Sequence, residues 1–378
     1  MKVMCPQDSL ARGLGVVSRA VATRSTLPIL SNILIQTDEG RLKLSATNLE
    51  IGIRCWVKAD VTDPGAITIP ARLLSEFVNQ LPSGLVTLDL NGRNQTMHVT
   101  AGQHKADIKG IDSADFPVLP SVDEGTRFSL DTRTFKEMIQ QVVIAAATDD
   151  ARPVLTGVLF IADPDVGRLT LAASDGFRLS VRESELDAPI DGRISLIVPA
   201  RALAELQRIA SDDDDPIRVS IPAARNQILF QLKDVDIVSQ LIEGNPPDYE
   251  KIIPTAAATR AVINTKAFLG AARIASSFAR DAANVVRLTL TPGTELGGSV
   301  TISATSAEVG GNESEIEAAV DGEAMEVAFN ARYLLDVLGV VNSDQIALEV
   351  ASPSSPGVFR PADQTPFTHI IMPMHIAR

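Results

Sequence analysis

The sequence predicts an α+β fold of three repeated domains, each with two helices packed on antiparallel sheet, and three observations carry that prediction. The first is a motif that returns at domain spacing: "IPARLLSEF" from Ile69, "VPARALAEL" from Val198 and "FNARYLLDV" from Phe329. Its Pro70, Pro199 and Asn330 stand 129 and 131 residues apart, far beyond the periods of solenoids and propellers. The second is that other segments repeat at nearly the same steps. "LSATNLEIGIR" from Leu44 answers to "LAASDGFRLSV" from Leu171 and "ISATSAEVGGN" from Ile302, while "LPILSNILI" from Leu27 answers to "RPVLTGVLF" from Arg152, with "NVVRLTL" from Asn284 a fainter third copy. The third is length, because 378 residues exceed what one hydrophobic core organises and give a prior of two to three domains.

Each copy reads in the order helix, strands, Pro/Asn-Ala-Arg helix, strands. The first helices place apolar residues at helical spacing through Leu10, Leu14 and Val17, through Phe135, Ile139 and Val142, and through Phe268, Ala272 and Ala275. The second helices do so through Leu73, Leu74, Phe77, Val78 and Leu81, and through Leu203, Leu206 and Ala210. Period-2 runs such as "LVTLDLNGRNQTMHVTAG", with a turn at Asn91 to Asn94, read as hairpins. One-sided alternation of this kind suits sheets with helices on one face. The proline-bounded stretches "ADFPVLPS" (from Ala114) and "PPDYEKIIPT" (from Pro246) lie between copies. They predict domains at 1–125, 126–257 and 258–378.

A hydrophobic content of 45% with 21% charged residues describes a folded chain, and only 4% aromatic residues make its core aliphatic. Cys5 and Cys55 form neither metal-ligand spacing nor a disulfide framework, so a reducing, cytoplasmic setting is expected. No window approaches the roughly eighteen apolar residues of a membrane span, and "MKVMCPQDSL" holds no targeting run. Catalytic residues, metal ligands and cofactors are all expected to be absent. There is no Gly-x4-Gly-Lys-Ser/Thr loop, "GLGVVS" at Gly13 falls inside a helix, and His98, His104, His369 and His375 lack partners at ligand spacing. "SDDDDP" at Ser211 to Pro216 reads as a solvated turn. As an alternative, those acids would mark a metal-dependent nucleic-acid-processing enzyme, which predicts nuclease activity that needs a divalent ion. A monomeric three-domain adaptor is the other alternative, and solution mass separates it from a dimer.

With 34 basic and 47 acidic residues the net charge is −13, which excludes attraction to nucleic acid by total charge. Distribution differs from the total. Arg12, Arg19 and Arg24 face one acid between Asp8 and Arg24, and Lys266, Arg273 and Arg280 face none between Asn264 and Arg280. At about 100° per residue, Arg12 and Arg19, and Lys266, Arg273 and Arg280, fall on the side of their helix away from its apolar stripe. The middle copy is weaker, with Arg133, Lys136 and Arg152 beside Glu137, Asp149 and Asp150. For a single helix a solvated face suffices as explanation. Arg72, Arg201 and Arg332, however, all occupy a first helical turn, where the dipole disfavours a cation by about 0.3–1 kcal/mol. Glu76, Glu205 and Asp336 follow four residues later, but such pairs contribute only about 0.2–0.5 kcal/mol, and the favourable order is acid first. Three equivalent arginines kept against that cost point to phosphate contacts, which position a duplex without reading its sequence.

At full length the chain resembles the bacterial sliding clamp family, the beta subunit of DNA polymerase III. The resemblance lies in "TLPILSNILIQ", "ADFP", "SDGFRLSV", "PPDYEKIIP", "MEVAFNARYLLDVL" and the terminal "HIIMPMHIAR". It implies a DNA clamp fold in which two three-domain chains join head to tail as a closed dimeric ring. Such a ring encircles duplex DNA without sequence preference, slides on it, tethers the polymerase catalytic subunit and is placed there by a clamp loader. By the resemblance, Arg24 and Arg152 face DNA, joining the three repeat arginines. A cleft between the middle and last domains would take short clamp-binding motifs of the polymerase, the loader and other proteins. It maps to Leu155, Ser174, Gly176, Phe177, Arg178, Leu179, Pro247, Lys251, Ile252, Ile370, Met372, Pro373 and Met374. Read from the residues alone, "IIMPM" is equally a final core strand with Met372 and Met374 pointing inward together. The dimer interface would bring Lys105 and Ile108 against Arg273 and Ile274. This chain departs from the family at Pro153 and Val154, where aromatic residues are common, and at Asn245 and Pro246, where a basic residue and an aromatic are common.

Overall fold

The structure, a computed structural model, describes residues 1–120, 125–149, 151–186, 190, 192–212, 215–223, 226–280, 283–293 and 297–374. Among them lie α1 (Gln7–Val17), α2 (Ala71–Gln80), α3 (Thr132–Val143), α4 (Ala200–Ile209), α5 (Thr265–Ala279) and α6 (Ala331–Val340). The repeated motif is where a strand passes directly into a helix. Strands Ala66–Pro70, Ile194–Pro199 and Met325–Asn330 each end one residue before α2, α4 and α6 begin. Asn330 caps its helix by accepting the Arg332 N–H at 2.9 Å, whereas Pro70 offers no side-chain cap. The buried faces follow the predicted spacing, through Leu10, Leu14 and Val17 of α1 and Phe268, Ala272 and Ala275 of α5. Leu73 is an exception: it is exposed, because Ala71, Leu74 and Val78 define the inward stripe of α2 and Leu73 lies about 100° off it.

Two compact units divide the described chain, residues 1–133 with 205–241 and residues 134–204 with 242–378. This division cuts the middle copy, because strands of one copy pair with strands of the next. In the first unit the strand Val235–Gln240 pairs antiparallel with Ile51–Val57, joining four strands of the middle copy to four of the first in an eight-stranded sheet. A five-stranded sheet completes that unit, in the order Asp60–Asp63, Lys2–Pro6, Leu85–Asn91, Thr96–Ala101, His104–Lys109. Its hairpin turns just after Asn91, which pairs with Thr96. In the second unit Arg178–Glu185 pairs antiparallel with Phe367–Ile371 inside a twelve-stranded sheet. All three sheets are antiparallel, and with their helices they make an α+β fold.

Buried polar groups secure these joins. In the first unit Arg54 pairs with Asp236 and donates to the carbonyls of Leu119 and Pro120, and burial pushes the Asp236 carboxyl up while Arg54 opposes that shift. In the second, Arg182 donates to Gln141 Oε1 at 2.9 Å and to the carbonyl of Glu183. Burial lowers the Arg182 pKa, with Glu137, Asp363 and Glu183 holding it up. His369 is wholly buried between these strands: its Nδ1 lies 2.6 Å from Ser180 Oγ, and its Nε2 meets no partner among the described residues. Burial, reinforced by Arg178, pushes its pKa down to about 3. An unfolded histidine titrates near 6.5, so between about pH 6.5 and pH 3 the unfolded chain binds a proton that the folded chain refuses. Stability should therefore fall with pH through that window, by about 2 kcal/mol from pH 7 to pH 5 for this group alone. Denaturant unfolding at both pH values tests it: the fall should be smaller by that amount in His369→Phe, and equal slopes would refute the assignment.

Candidate functional site

Arg72, Arg201 and Arg332 are each the second residue of α2, α4 and α6, and all three are exposed. Their expected ion pairs with the acid four residues on form only once. Arg72 Nε lies 2.7 Å from Glu76 Oε1. Glu205 is buried and turns instead to Arg19 and Arg208, both at 2.9 Å, while Asp336 turns to Arg178. Asp336 thereby takes a partner whose side chain is only 10% exposed, where Coulomb attraction is less screened than at an outer helix face. Arg201, Arg332 and Arg24 make no ion pair among the described residues, and neither do Arg12, Lys266, Arg273 and Arg280. Arg152 is exposed too, but its Nη2 donates to the Asp175 carbonyl at 3.0 Å, so its guanidinium braces the Ser174–Arg178 turn.

That turn borders a shallow apolar cleft in the second unit. Of the residues expected in a cleft, Leu155, Ser174, Leu179 and Pro247 line it. The sequence reading missed Gly157, Leu159, Ala172, Ala173, Ile197 and Tyr249 as lining, and it named Val154 and Pro246 only as departures. The strand residues were detectable as the inward half of "GVLFIAD" and "LAAS", and Tyr249 as one of only two tyrosines in the chain. Burial first, then Glu250 and Glu183, pushes the Tyr249 phenol up, so the cleft wall is uncharged at neutral pH.

Ser174 Oγ accepts the Gly176 N–H at 3.1 Å and donates to the Arg178 carbonyl, which closes the turn, and Asp175 Oδ1 accepts the N–H groups of Phe177 and Arg178. Arg178 is not free to meet a ligand. Its guanidinium lies 4.3 Å from the Tyr333 ring centroid and pairs with Asp175 and Asp336, tying the turn to α6. Phe177 is exposed, and its carbonyl accepts the Met372 N–H at 2.8 Å. The last strand ends at Ile371; Ile370 is core, whereas Met372 is 41% exposed. Pro373 and Met374 follow outside the strand, half-buried, with the Met374 N–H on the Ala328 carbonyl at 2.8 Å. Of the two readings of "IIMPM", the core strand holds as far as Ile371: Met372 keeps one bond to the residue before the neighbouring strand, but its side chain is exposed, and Pro373 and Met374 lie outside the strand. Lys251 pairs with Asp248 at 2.6 Å, and Ile252 beside it is exposed. His375 to Arg378, and Asp213 and Asp214 of the acidic run, lie outside the described residues. Among the described residues no His, Cys, Asp and Glu group is arranged to hold a metal ion. No helix of the described residues is long and apolar enough to cross a membrane.

The four residues expected at a dimer interface are not alike. Lys105, Arg273 and Ile274 are exposed, Ile274 at 52%. Ile108 is only 4% exposed, on the inward face of its strand opposite Met97. Alternation along "HKADIK" decides this, since Lys105, Asp107 and Lys109 take the outer positions. A charge at Ile108 would therefore break the sheet's own packing and is no clean probe of an interface.

Comparison with known proteins matches the whole length. Three family descriptions cover the chain in turn: DNA polymerase III beta subunit, N-terminal domain, over residues 1–120; central domain, over 129–248; and C-terminal domain, over 250–375. The beta sliding clamp of Synechocystis sp. is 33% identical over 395 residues, spanning 100% of both chains. That of Bacillus subtilis is 30% identical over 384 residues, spanning 99% of both. Among solved structures, a Bacillus subtilis DNA polymerase sliding clamp superposes with a TM-score of 0.92 at 29% identity, covering 100% of both chains. A Pseudomonas aeruginosa sliding clamp bound to griselimycin gives 0.91 at 27%, also covering 100% of both. Matched from end to end in both sequence and fold, the chain belongs to the DNA polymerase III beta subunit family, the beta sliding clamps.

Proposed function

We propose that two copies of this chain close head to tail into a ring around duplex DNA, and that the ring serves replication as a processivity factor without catalysing a reaction. The observation that carries this reading is the set of exposed cations, Arg201, Arg332 and Arg24 among them without an ion pair among the described residues, in a chain whose net charge is −13. Such a chain holds DNA poorly by contact, and a topological link supplies what charge does not. Arg24, Arg72, Arg201 and Arg332 would touch phosphates weakly enough for sliding. The domains 1–125, 126–257 and 258–378 would each contribute one such face. The apolar cleft would take short motifs of the polymerase catalytic subunit, the clamp loader and other partners, and the setting would be the cytoplasm.

Ring closure has a chemical basis in two open sheet edges. Among the described residues, His104–Lys109 pairs only with Thr96–Ala101, and along 310–317 the strand Gly310–Gly322 pairs only with Gly298–Ser306. The first edge carries the exposed Lys105 and Lys109, the second the exposed Glu313, Glu315 and Glu317. Oppositely charged edges favour strand addition between copies, and each copy's own edges, alike in charge, resist pairing with themselves. Ile274, on α5, supplies an exposed apolar side chain for such a contact. Ile274→Asp, which leaves the core intact, is expected to give monomers by light scattering and to abolish the stimulation of polymerase on a primed circular template. A variant that remains dimeric at micromolar concentration would overturn this interface.

A further inference from the structure

The open cleft of the second unit has a counterpart in the first that the chain itself fills. The repeat places Ile29, Leu30 and Leu34 where the second unit has Val154, Leu155 and Leu159. Both units then bridge back to the following linker in the same way. Thr68 and Ile111 exchange N–H and carbonyl bonds at 3.0 Å, and Ile242 donates to the Ile197 carbonyl at 2.9 Å; Thr68 and Ile197 each stand two residues before their helix-starting proline. Beyond the bridge the linkers diverge. Phe116 follows Ile111 by five residues, whereas Tyr249 follows Ile242 by seven, through a stretch holding Pro246 and Pro247.

That difference decides what each aromatic ring does. Phe116 is 6% exposed and packs into one apolar cluster with Ile29 and Leu30, with half-buried Leu34 and Ile111 against it. Tyr249, on its longer tether, is half-buried against the cluster of Leu159, Ala172 and Leu179 and leaves the cleft open along one wall. Leu119 completes the filling: a Cβ on Gly52 would lie 2.5 Å from Leu119 Cδ2, and the residue equivalent to Gly52 in the second unit is Leu179, part of the open cleft's lining. The floors differ as well. Asn32 Nδ2 donates to Thr68 Oγ1 at 3.0 Å in the first unit, where the second has Gly157 and Ile197.

We propose that the first unit holds a second peptide pocket whose resident ligand is the chain's own Phe116–Leu119 segment, so that the chain covers this pocket itself and leaves the second unit's cleft open to other peptides. This rests on reading the open cleft as a peptide site. The occupant the second pocket would accept is a short segment with an aromatic and an aliphatic anchor. A ligand tethered five residues from the bridge acts at millimolar effective concentration or above, so a free peptide does not displace it.

The probe is a fluorescein-labelled synthetic peptide of residues 114–120 (ADFPVLP), titrated into the full chain. Phe116→Ala/Leu119→Ala, which withdraws both anchors, is expected to bind it about tenfold or more tighter than the unaltered protein. The gain should survive Val154→Arg, which blocks the second unit's cleft. Absence of a gain, or a gain that Val154→Arg removes, would overturn the second pocket and leave the open cleft standing. A surviving gain, in a protein whose unaltered form binds no polymerase-derived peptide, would instead sink the reading of the open cleft. Phe116→Val/Leu119→Val is the milder pair. If neither pair folds, Phe116 and Leu119 are core residues and the proposal fails.

Discussion

On nicked circular DNA, the loaded protein is expected to remain bound through gel filtration, and cutting the circle should reduce retention to background. The reason is the charge balance described above. A chain at −13 with a few exposed arginines gains too little from counterion release to stay on DNA by contact, and a closed ring leaves a circle only by opening. Equal retention on circular and linear forms would refute the ring. Direct binding to a linear fragment should show the contact term alone. Replacing Arg24, Arg72 and Arg201 together by alanine should weaken it and make the log–log salt slope shallower by up to roughly 3, at about 0.9 per phosphate neutralised. An unchanged slope would remove these arginines from the DNA-facing surface.

The other large effect separates partner binding from stability at the end of the chain. Ile370→Ala truncates a core residue and should cost about 2–5 kcal/mol of stability. Met372→Ala, two residues on, past the last strand and with its side chain exposed, should change stability by about 0.5 kcal/mol or less. Because a few apolar anchors carry most of the energy of such an interface, Met372→Ala should nonetheless weaken a polymerase-derived peptide about tenfold. Fluorescence anisotropy and thermal melting of both variants check this. A large drop in melting temperature for Met372→Ala with undiminished peptide affinity would assign Met372 to the core and detach it from the cleft.

What the sequence by itself determined is local or periodic. The starts of α2, α4 and α6 coincide with the repeated Ala71, Ala200 and Ala331, and the hairpin turns after Asn91, because helix entry and tight turns depend on residues next to one another. The inward stripes of the helices were legible for the same reason. Tertiary structure decided whatever depends on partners far along the chain. Glu205 looked like the mate of Arg201 four residues before it, yet it pairs with Arg19, 186 residues away, since only the folded chain brings that guanidinium to a buried carboxylate. Ile108 and Met372 look alike as exposed apolar candidates on paper. Strand pleat buries the first, and the second lies exposed just past the last strand's end at Ile371. The cleft divides along the same line: Leu155, Ser174, Leu179 and Pro247 were named from sequence, but its hollowness was not. Corresponding segments of the repeat build a pocket that the chain fills in one unit and an open cleft in the other, and what separates them is where a linker longer by two residues sets down its aromatic ring.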